Sequence, residues 1–261
     1  MPASLLLLVV ATGAVVGFLG GMLGKGGSAL ATPVLAAFGI PPIIALASPL
    51  PATVPGSLVA ADRYRRLGLI DWRVLRWSLG IGLPATVVGA LGSKYVDGSS
   101  LVMVTDVLLV GLGLRMLRAG RHASAPVALV PEVPEVAEVA EASARATVAV
   151  ALVTGLAAGL LANSGGFLLA PLFVAVLGMS IKPAFGTSLA VASVLAVPGT
   201  LVHLGLGHLD PEVVVAFAIG SIPLAGVGAK VALSTDSARL ERGYGVVLVL
   251  FGLAFLIGPH L

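Results

Sequence analysis

The stretch Gly21–Pro33, GMLGKGGSALATP, places a lysine among glycines after an apolar run that reaches back almost to the N-terminus. Glycine lets a chain reverse tightly without side-chain clash, so the stretch predicts a break between two apolar helices. Lys25 is the first charged side chain of the sequence. A lysine in this setting either lines a polar cavity in the membrane or lies at a helix end and reaches the headgroups.

Composition identifies the solvent in which this chain folds. Of the 261 residues, 58% are hydrophobic and only 10% are charged, whereas soluble domains are about a quarter charged. The apolar runs are long and lack the period-2 alternation of barrel strands, so we predict an all-α polytopic membrane protein in the cell membrane. Arginines cluster in short loops between the runs, which indicates membrane orientation rather than nucleic-acid binding. Cysteine is absent, which excludes disulfides and thiolate sites.

Two similar parts flank a polar stretch. We predict a first membrane repeat at 1–118, a polar cytoplasmic linker at 119–145 and a second membrane repeat at 146–261. Glycine and aspartate positions coincide at an offset of 139, or of 138 near the start of each part. The matched pairs include Gly39 with Gly178, Gly68 with Gly207, Asp71 with Asp210, Gly89 with Gly228, Gly17 with Gly155 and Gly21 with Gly159.

Basic residues orient the two repeats oppositely. One loop of the first repeat carries Arg63, Arg65 and Arg66, whereas the equivalent loop of the second repeat, at 202–210, has no lysine or arginine. Because cytoplasmic loops are enriched in lysine and arginine, equivalent loops lie on opposite faces of the membrane. We therefore predict two inverted-topology repeats, each a broken or re-entrant helical hairpin followed by three transmembrane helices.

A second break, NSGG at residues 163–166, lies at the matching place in the second repeat. In transporters with inverted repeats, substrates bind where interrupted helices of both repeats meet near the midplane. The free N–H groups at the start of each following half-helix favour an anion. We predict an anion site formed by both breaks and by the hydroxyls that follow them, comprising Gly24, Lys25, Gly26, Gly27, Ser28, Ser48, Asn163, Ser164, Gly165, Gly166, Thr187 and Ser188.

Other roles remain open for several polar residues. The hydroxyls of Ser48, Thr187 and Ser188 can instead pack helices together or bond to the preceding turn. Asp106 lies about seven residues from the outer end of its span, roughly 10 Å deep. It is a candidate for coupling to a proton or cation, and can alternatively pair with a neighbouring donor.

The loop HLGLGHLDPE holds His203, His208, Asp210 and Glu212, a spacing that does not match a zinc site. We expect Asp210 to cap the helix that begins at Pro211. No metal, cofactor or convergent catalytic set is expected, so the sequence does not predict an enzyme.

Three features resemble the TauE/SafE sulfite-exporter family: GFLGGMLGKGGSALATPVL at 17–35, the small-residue helix that follows it, and the basic loop ending in IDWR at 70–73. The resemblance covers nearly the whole chain outside 119–145. It implies a membrane permease that exports sulfite, sulfonates or related small organic anions. Family members usually carry an apolar residue at the position of Lys25.

We therefore expect a secondary transporter, an exporter of sulfite or an organosulfonate, in which the two repeats rock against each other around the paired breaks. The expected partners are the small anion and the lipid bilayer, with a coupling ion and a second copy of the chain left open. The alternatives are an anion channel, or a carrier of another small organic anion.

Overall fold

The long apolar segments fold as helices, which satisfy their own backbone hydrogen bonds in lipid. A computed structural model describes residues 1–24, 28–92, 110–111, 113–115, 117–118, 144–160 and 166–257, and no strand occurs within these ranges. The helices are α1 Ala3–Leu23, α2 Ser28–Ala37, α3 Pro42–Ala47, α4 Leu50–Arg66, α5 Trp72–Gly92, α6 Ala144–Leu160, α7 Gly166–Ala175, α8 Ile181–Gly205, α9 Pro211–Ser234 and α10 Ser237–Ile257.

Five helical segments in the described residues are long and apolar enough to cross a bilayer, which confirms the prediction of a helical polytopic membrane protein. They are Ala3–Leu23, Ile43–Arg66, Trp72–Gly92, Ile181–Gly205 and Pro211–Ser234. By contrast, α2 and α7 have 10 residues each. At ~1.5 Å per residue such a helix is about half as long as the hydrocarbon core is thick, so neither crosses the membrane alone.

One predicted segment is divided in the structure. The apolar run 43–61 forms α3 and α4, which meet at Ser48 and Pro49, whereas its equivalent α8 continues unbroken from Ile181 to Gly205. Proline lacks the N–H that would continue the hydrogen-bond ladder. Ser188 occupies the position equivalent to Pro49, and the two turn residues divide the first helix but leave Ile43–Arg66 long enough to be one span.

Glycines at matched positions adopt the same left-handed conformation. Gly39 and Gly178 have φ of 84° and 67°, and Gly68 and Gly207 have φ of 69° and 70°. The turns at the second pair also share a hydrogen bond, from Leu69 N to Tyr64 O and from His208 N to His203 O, both 3.0 Å. Residues at an offset of 139 therefore end equivalent helices in the same way.

Helix α1 packs along its length on α9, a helix of the other sequence half. The contact runs through glycines at four-residue spacing: a Cβ added at Gly13, Gly17 or Gly21 would overlap the carbonyl oxygen of Phe217, Ser221 or Ala225, respectively. Both sets of residue numbers rise together, so α1 and α9 run parallel. Small residues permit this backbone approach in a bilayer, where packing rather than the hydrophobic effect joins helices.

The equivalent pair, α5 and α6, repeats this contact. Gly155 and Gly159 of α6 lie against Gly82 and Thr86 of α5, and Gly89 of α5 lies against Leu156. These two helices also run parallel. Each sequence half therefore donates one helix that packs closely on a helix of the other half.

Helices α4 and α8 also pack together, but they run antiparallel. Gly186 near the start of α8 lies against Tyr64 near the end of α4, and Gly199 further along α8 faces Leu50 at the start of α4. Helix α4 also packs on α9, and α8 also packs on α5, although α4 and α8 pack on each other at least as extensively. We call α1, α4 and α9 the first packing unit, and α5, α6 and α8 the second packing unit. Under the predicted repeat the two units are equivalent, and each contains helices of both halves.

Substituting Gly21 with alanine tests the glycine contact. Its new Cβ would overlap the carbonyl oxygen of Ala225, so the helices must separate, at an expected cost of about 1–3 kcal/mol in the free energy of unfolding. Thermal unfolding of the purified protein in detergent measures the loss. Gly80→Ala is the matched control, because a Cβ at Gly80 meets nothing within 4 Å. Equal stability of the two variants would contradict the close approach.

Candidate functional site

The first break begins where α1 ends. Gly24 has φ of 69° and its N–H bonds to Gly20 O, which closes the helix. A Cβ at Gly24 would lie 2.7 Å from Cδ1 and 2.8 Å from Cα of Phe185. Both the backbone conformation and the contact with α8 therefore require glycine at this position. The half-helix α2 begins at Ser28, as predicted.

The second break lies between α6, which ends at Leu160, and α7, which begins at Gly166 as predicted. Several predicted site residues lie outside the described residues, namely Lys25, Gly26, Gly27, Asn163, Ser164, Gly165 and Asp106. The structure thus locates the ends of the helices on either side of each break.

Ser188 connects the first break to the second sequence half. Its hydroxyl donates to Gly24 O at 2.8 Å and to Phe185 O at 2.9 Å. The side chain is fully buried. This contact joins α1 of the first packing unit to α8 of the second, at the point where α1 stops.

Ser48 and Thr187, which are fully buried at equivalent positions, make equivalent bonds. Thr187 Oγ1 accepts from Asp71 N at 3.0 Å, and Ser48 Oγ accepts from Asp210 N at 3.1 Å. Each hydroxyl therefore holds the loop of the other sequence half. In this conformation the hydroxyl oxygens predicted to face an anion are engaged by backbone N–H groups.

The two aspartates of this pattern also cap helices. Asp210 Oδ1 accepts from Glu212 N at 2.8 Å and Val213 N at 3.2 Å, which confirms the predicted cap of α9. Asp71 Oδ1 makes the same bonds at the start of α5, to Arg73 N and Val74 N. Each loop is thus fixed twice, by its aspartate side chain and by a hydroxyl from the other half.

A small pocket, with a cavity volume of about 20 Å³, lies beside the first break. Its polar lining residues are Thr53 and Ser57 of α4 and Ser221 of α9, and Gly17, Gly20 and Gly21 form the α1 wall. These three hydroxyls are not among the site residues predicted from the sequence. At an offset of 139, the equivalents of Thr53, Ser57 and Ser221 are Ala192, Ala196 and Gly82, respectively. None of these equivalents is polar, so the criterion of matched polar positions does not select the three hydroxyls.

Charges in the described residues lie mainly at helix ends. Arg65 and Arg66 both pair with Asp62 at the end of α4, at 2.6 Å. His203 and His208 lie with their Nδ1 atoms 3.1 Å apart. Throughout the described ranges, no group of three or more His, Cys, Asp or Glu side chains converges in a way that could hold a metal ion.

Comparison with known proteins agrees with the membrane architecture. The sequence profile of the family described as "Sulfite exporter TauE/SafE" matches residues 9–255. A "Probable membrane transporter protein" of Xylella fastidiosa (strain 9a5c) is 30% identical over 94% of this chain and 92% of its own length. "Probable membrane transporter protein YjnA" of Bacillus subtilis (strain 168) is 24% identical over 95% of this chain and 98% of its own. No solved structure matches the chain significantly.

Replacing Thr187 by valine tests the matched hydroxyl bonds. The substitution keeps the shape of the side chain but leaves Asp71 N–H without its acceptor, at an expected cost of about 1–3 kcal/mol. Thermal unfolding in detergent reports the change. Thr187→Ser should retain near-native stability, since serine is the residue at the equivalent Ser48. A valine variant as stable as the serine variant would show that the bond contributes little.

Proposed function

Because the chain belongs to the TauE/SafE sulfite exporter family, we propose that this multi-pass transporter of the cell membrane exports a small anion, either sulfite or an organosulfonate. The proposal includes binding between the two breaks and alternating access from the two faces of the membrane. The observation that carries it is the pairing of equivalent contacts across the two sequence halves, since such symmetry is how one site opens to either side.

The directions of the helices support inverted topology. Equivalent helices α4 and α8 run antiparallel along their contact. Short loops reverse the chain between α4 and α5 and between α8 and α9, so α5 runs opposite to its equivalent α9. Because α1 runs parallel to α9 and α6 runs parallel to α5, α1 also runs opposite to its equivalent α6. Antiparallel equivalents in a bilayer have opposite orientation, as the arginine distribution predicts.

The packing also favours particular moving bodies. Helices in backbone contact through glycine separate at high cost, so α1 stays with α9, and α5 stays with α6. The two packing units then move as the rocking bodies, and the antiparallel α4–α8 contact is the surface between them. This arrangement differs from rocking of one sequence half against the other, because each unit takes helices from both halves.

The breaks suit an anion on electrostatic grounds. The half-helices α2 and α7 start at Ser28 and Gly166, immediately after the breaks. Their first N–H groups have no intrahelical partner, and the dipole places partial positive charge there. Lys25 supplies a full positive charge in the first break, and Asn163 and Ser164 supply neutral donors in the second. Asp106 is the proposed residue for ion coupling.

Single cysteines at equivalent loop positions test the inverted topology, and the natural chain contains no cysteine to interfere. Leu67 and Leu206 are exposed at the ends of α4 and α8, at an offset of 139. In intact cells, a membrane-impermeant maleimide should label Leu206→Cys and should not label Leu67→Cys, which becomes reactive in inverted vesicles. Labelling of both from the same side would contradict inverted repeats.

Transport in reconstituted vesicles tests the carrier function. Uptake of sulfite or taurine should saturate, and unlabelled substrate inside the vesicles should accelerate it, whereas a channel shows no such counterflow. Lys25→Ala should raise KM roughly tenfold or more, because a charged donor to an anion contributes about 1.5–3 kcal/mol.

Two further variants and measurements complete that experiment. Lys25→Arg retains the charge and should transport with a KM near that of the wild type. Thermal unfolding of Lys25→Ala should be unchanged. An unaltered KM in a folded alanine variant would remove Lys25 from the binding site.

A further inference from the structure

The pocket beside the first break is lined almost entirely by residues of the first packing unit. Of its lining residues in the described chain, all belong to α1, α4 or α9 except Leu189, which comes from α8 of the second unit. Leu189 directly follows Ser188, whose hydroxyl bonds to Gly24 O. A movement of the second unit would therefore displace a side chain that lines the pocket.

Ser221 gives this pocket an unused hydrogen-bonding group. The residue is 5% exposed, and its Oγ is buried without a hydrogen-bond partner. A buried hydroxyl without a partner costs about 1–3 kcal/mol, so such groups usually have a use. Ser57 lies on the facing wall with Thr53 and Gly56, at helical spacing on one face of α4.

On α4 and α9 the pocket lies at the middle of a membrane span, and on α1 it lies in the last third, next to the first break. Ser221 is near the centre of the segment Pro211–Ser234, and Thr53, Gly56 and Ser57 are near the centre of Ile43–Arg66. Both spans thus bring their polar residues to the depth at which transporters of this architecture hold their substrate.

The equivalent place in the second packing unit holds a leucine side chain. Leu195 is the equivalent of Gly56, and Gly82 is the equivalent of Ser221. Leu195 Cδ2 lies 3.4 Å from where a Cβ on Gly82 would be. A leucine side chain therefore occupies the volume that is empty in the first unit. The two packing units are alike in their glycine contacts but differ at this pocket.

We propose that this pocket holds the oxyanion group of the transported substrate, an inference that rests on the proposed function. Ser221 Oγ donates to one oxygen of that group, and the Leu189 side chain covers the pocket. The described lining residues are all uncharged. Ser221 offers one hydroxyl donor, and the proposed function supplies a single positive charge, on Lys25 of the adjacent break, so a singly charged sulfonate is balanced better than a dianion. The pocket therefore selects monoanionic sulfur oxyanions, such as the sulfonate of taurine, over sulfate. In the described conformation the cavity has room for about one water, so the oxyanion group enters only when the pocket opens.

Cysteine accessibility tests the pocket without requiring transport. In the cysteine-free chain, Ser57→Cys and Ser221→Cys should react with a small water-soluble methanethiosulfonate reagent, because a substrate pocket is hydrated when it opens. Ser78→Cys is the matched control: Ser78 is also a buried hydroxyl without a partner, in the equivalent helix α5, but it does not line the pocket. Taurine should slow the reaction at both pocket positions, and sulfate should slow it much less.

Two pairs of variants test the role in transport. Ser221→Ala should raise KM for taurine roughly tenfold, whereas Ser78→Ala should leave KM unchanged, and neither should lower the thermal unfolding midpoint. Gly56→Leu copies the natural Leu195 and should fill the pocket and abolish uptake. Its control, Gly80→Leu, places the same side chain at an exposed position where a Cβ meets nothing within 4 Å, and uptake should persist.

The outcomes separate this inference from the proposed function. Labelling at Ser57 and Ser221 with protection by taurine supports the pocket. Absence of labelling at both positions, or wild-type uptake by both Ser221→Ala and Gly56→Leu, overturns the pocket while leaving the transporter intact. Protection by sulfate equal to that by taurine overturns the selectivity for a monoanion. Failure of the wild type to transport sulfite or taurine, with the two cysteines still labelled, rejects the proposed substrates and retains a hydrated pocket.

Discussion

The backbone contacts between α1 and α9 and between α5 and α6 determine the rest of this structure. In lipid, apolar side chains gain little by leaving one apolar environment for another, so helices associate where small residues let their backbones meet. The glycines at 13, 17 and 21 and their equivalents provide two such contacts. Because each contact crosses between sequence halves, neither half is a separate body, and the molecule divides instead into two mixed packing units.

The polar groups inside the bundle follow from the same arrangement. The backbone N–H of Asp71 lies against α8, and that of Asp210 lies against the junction of α3 and α4; a buried hydroxyl of the other half satisfies each one. These bonds lie within the packing units and stabilise them. Between the units, Ser188 donates to Gly24 O at the end of α1, and the next residue, Leu189, lines the pocket. The proposed alternating access would change these contacts and keep the bonds within each unit.

Much of the architecture can be predicted from sequence because it depends on local chemistry. Apolar length predicts the spans, the run 73–93 appears as Trp72–Gly92, and the aspartate before Pro211 predicts a cap. The division at Pro49 was missed because hydropathy does not register a missing N–H. Partners across the bundle could not be predicted: the offset aligns Ser48 with Thr187, but nothing local indicates that each holds a loop of the other half. The pocket was not predicted because its hydroxyls have no polar equivalents in the other sequence half.

Motion of the two packing units against each other is the central claim, and distances between paired spin labels test it most directly. Labels at Leu67 and Ser180 span the contact between the units at one end, and labels at the equivalent Pro41 and Leu206 span it at the other; all four residues are exposed. Pulsed dipolar spectroscopy in lipid nanodiscs, with and without taurine, should show one distance lengthening as the other shortens. Two distances that stay fixed, or that lengthen together, would contradict alternating access by these units.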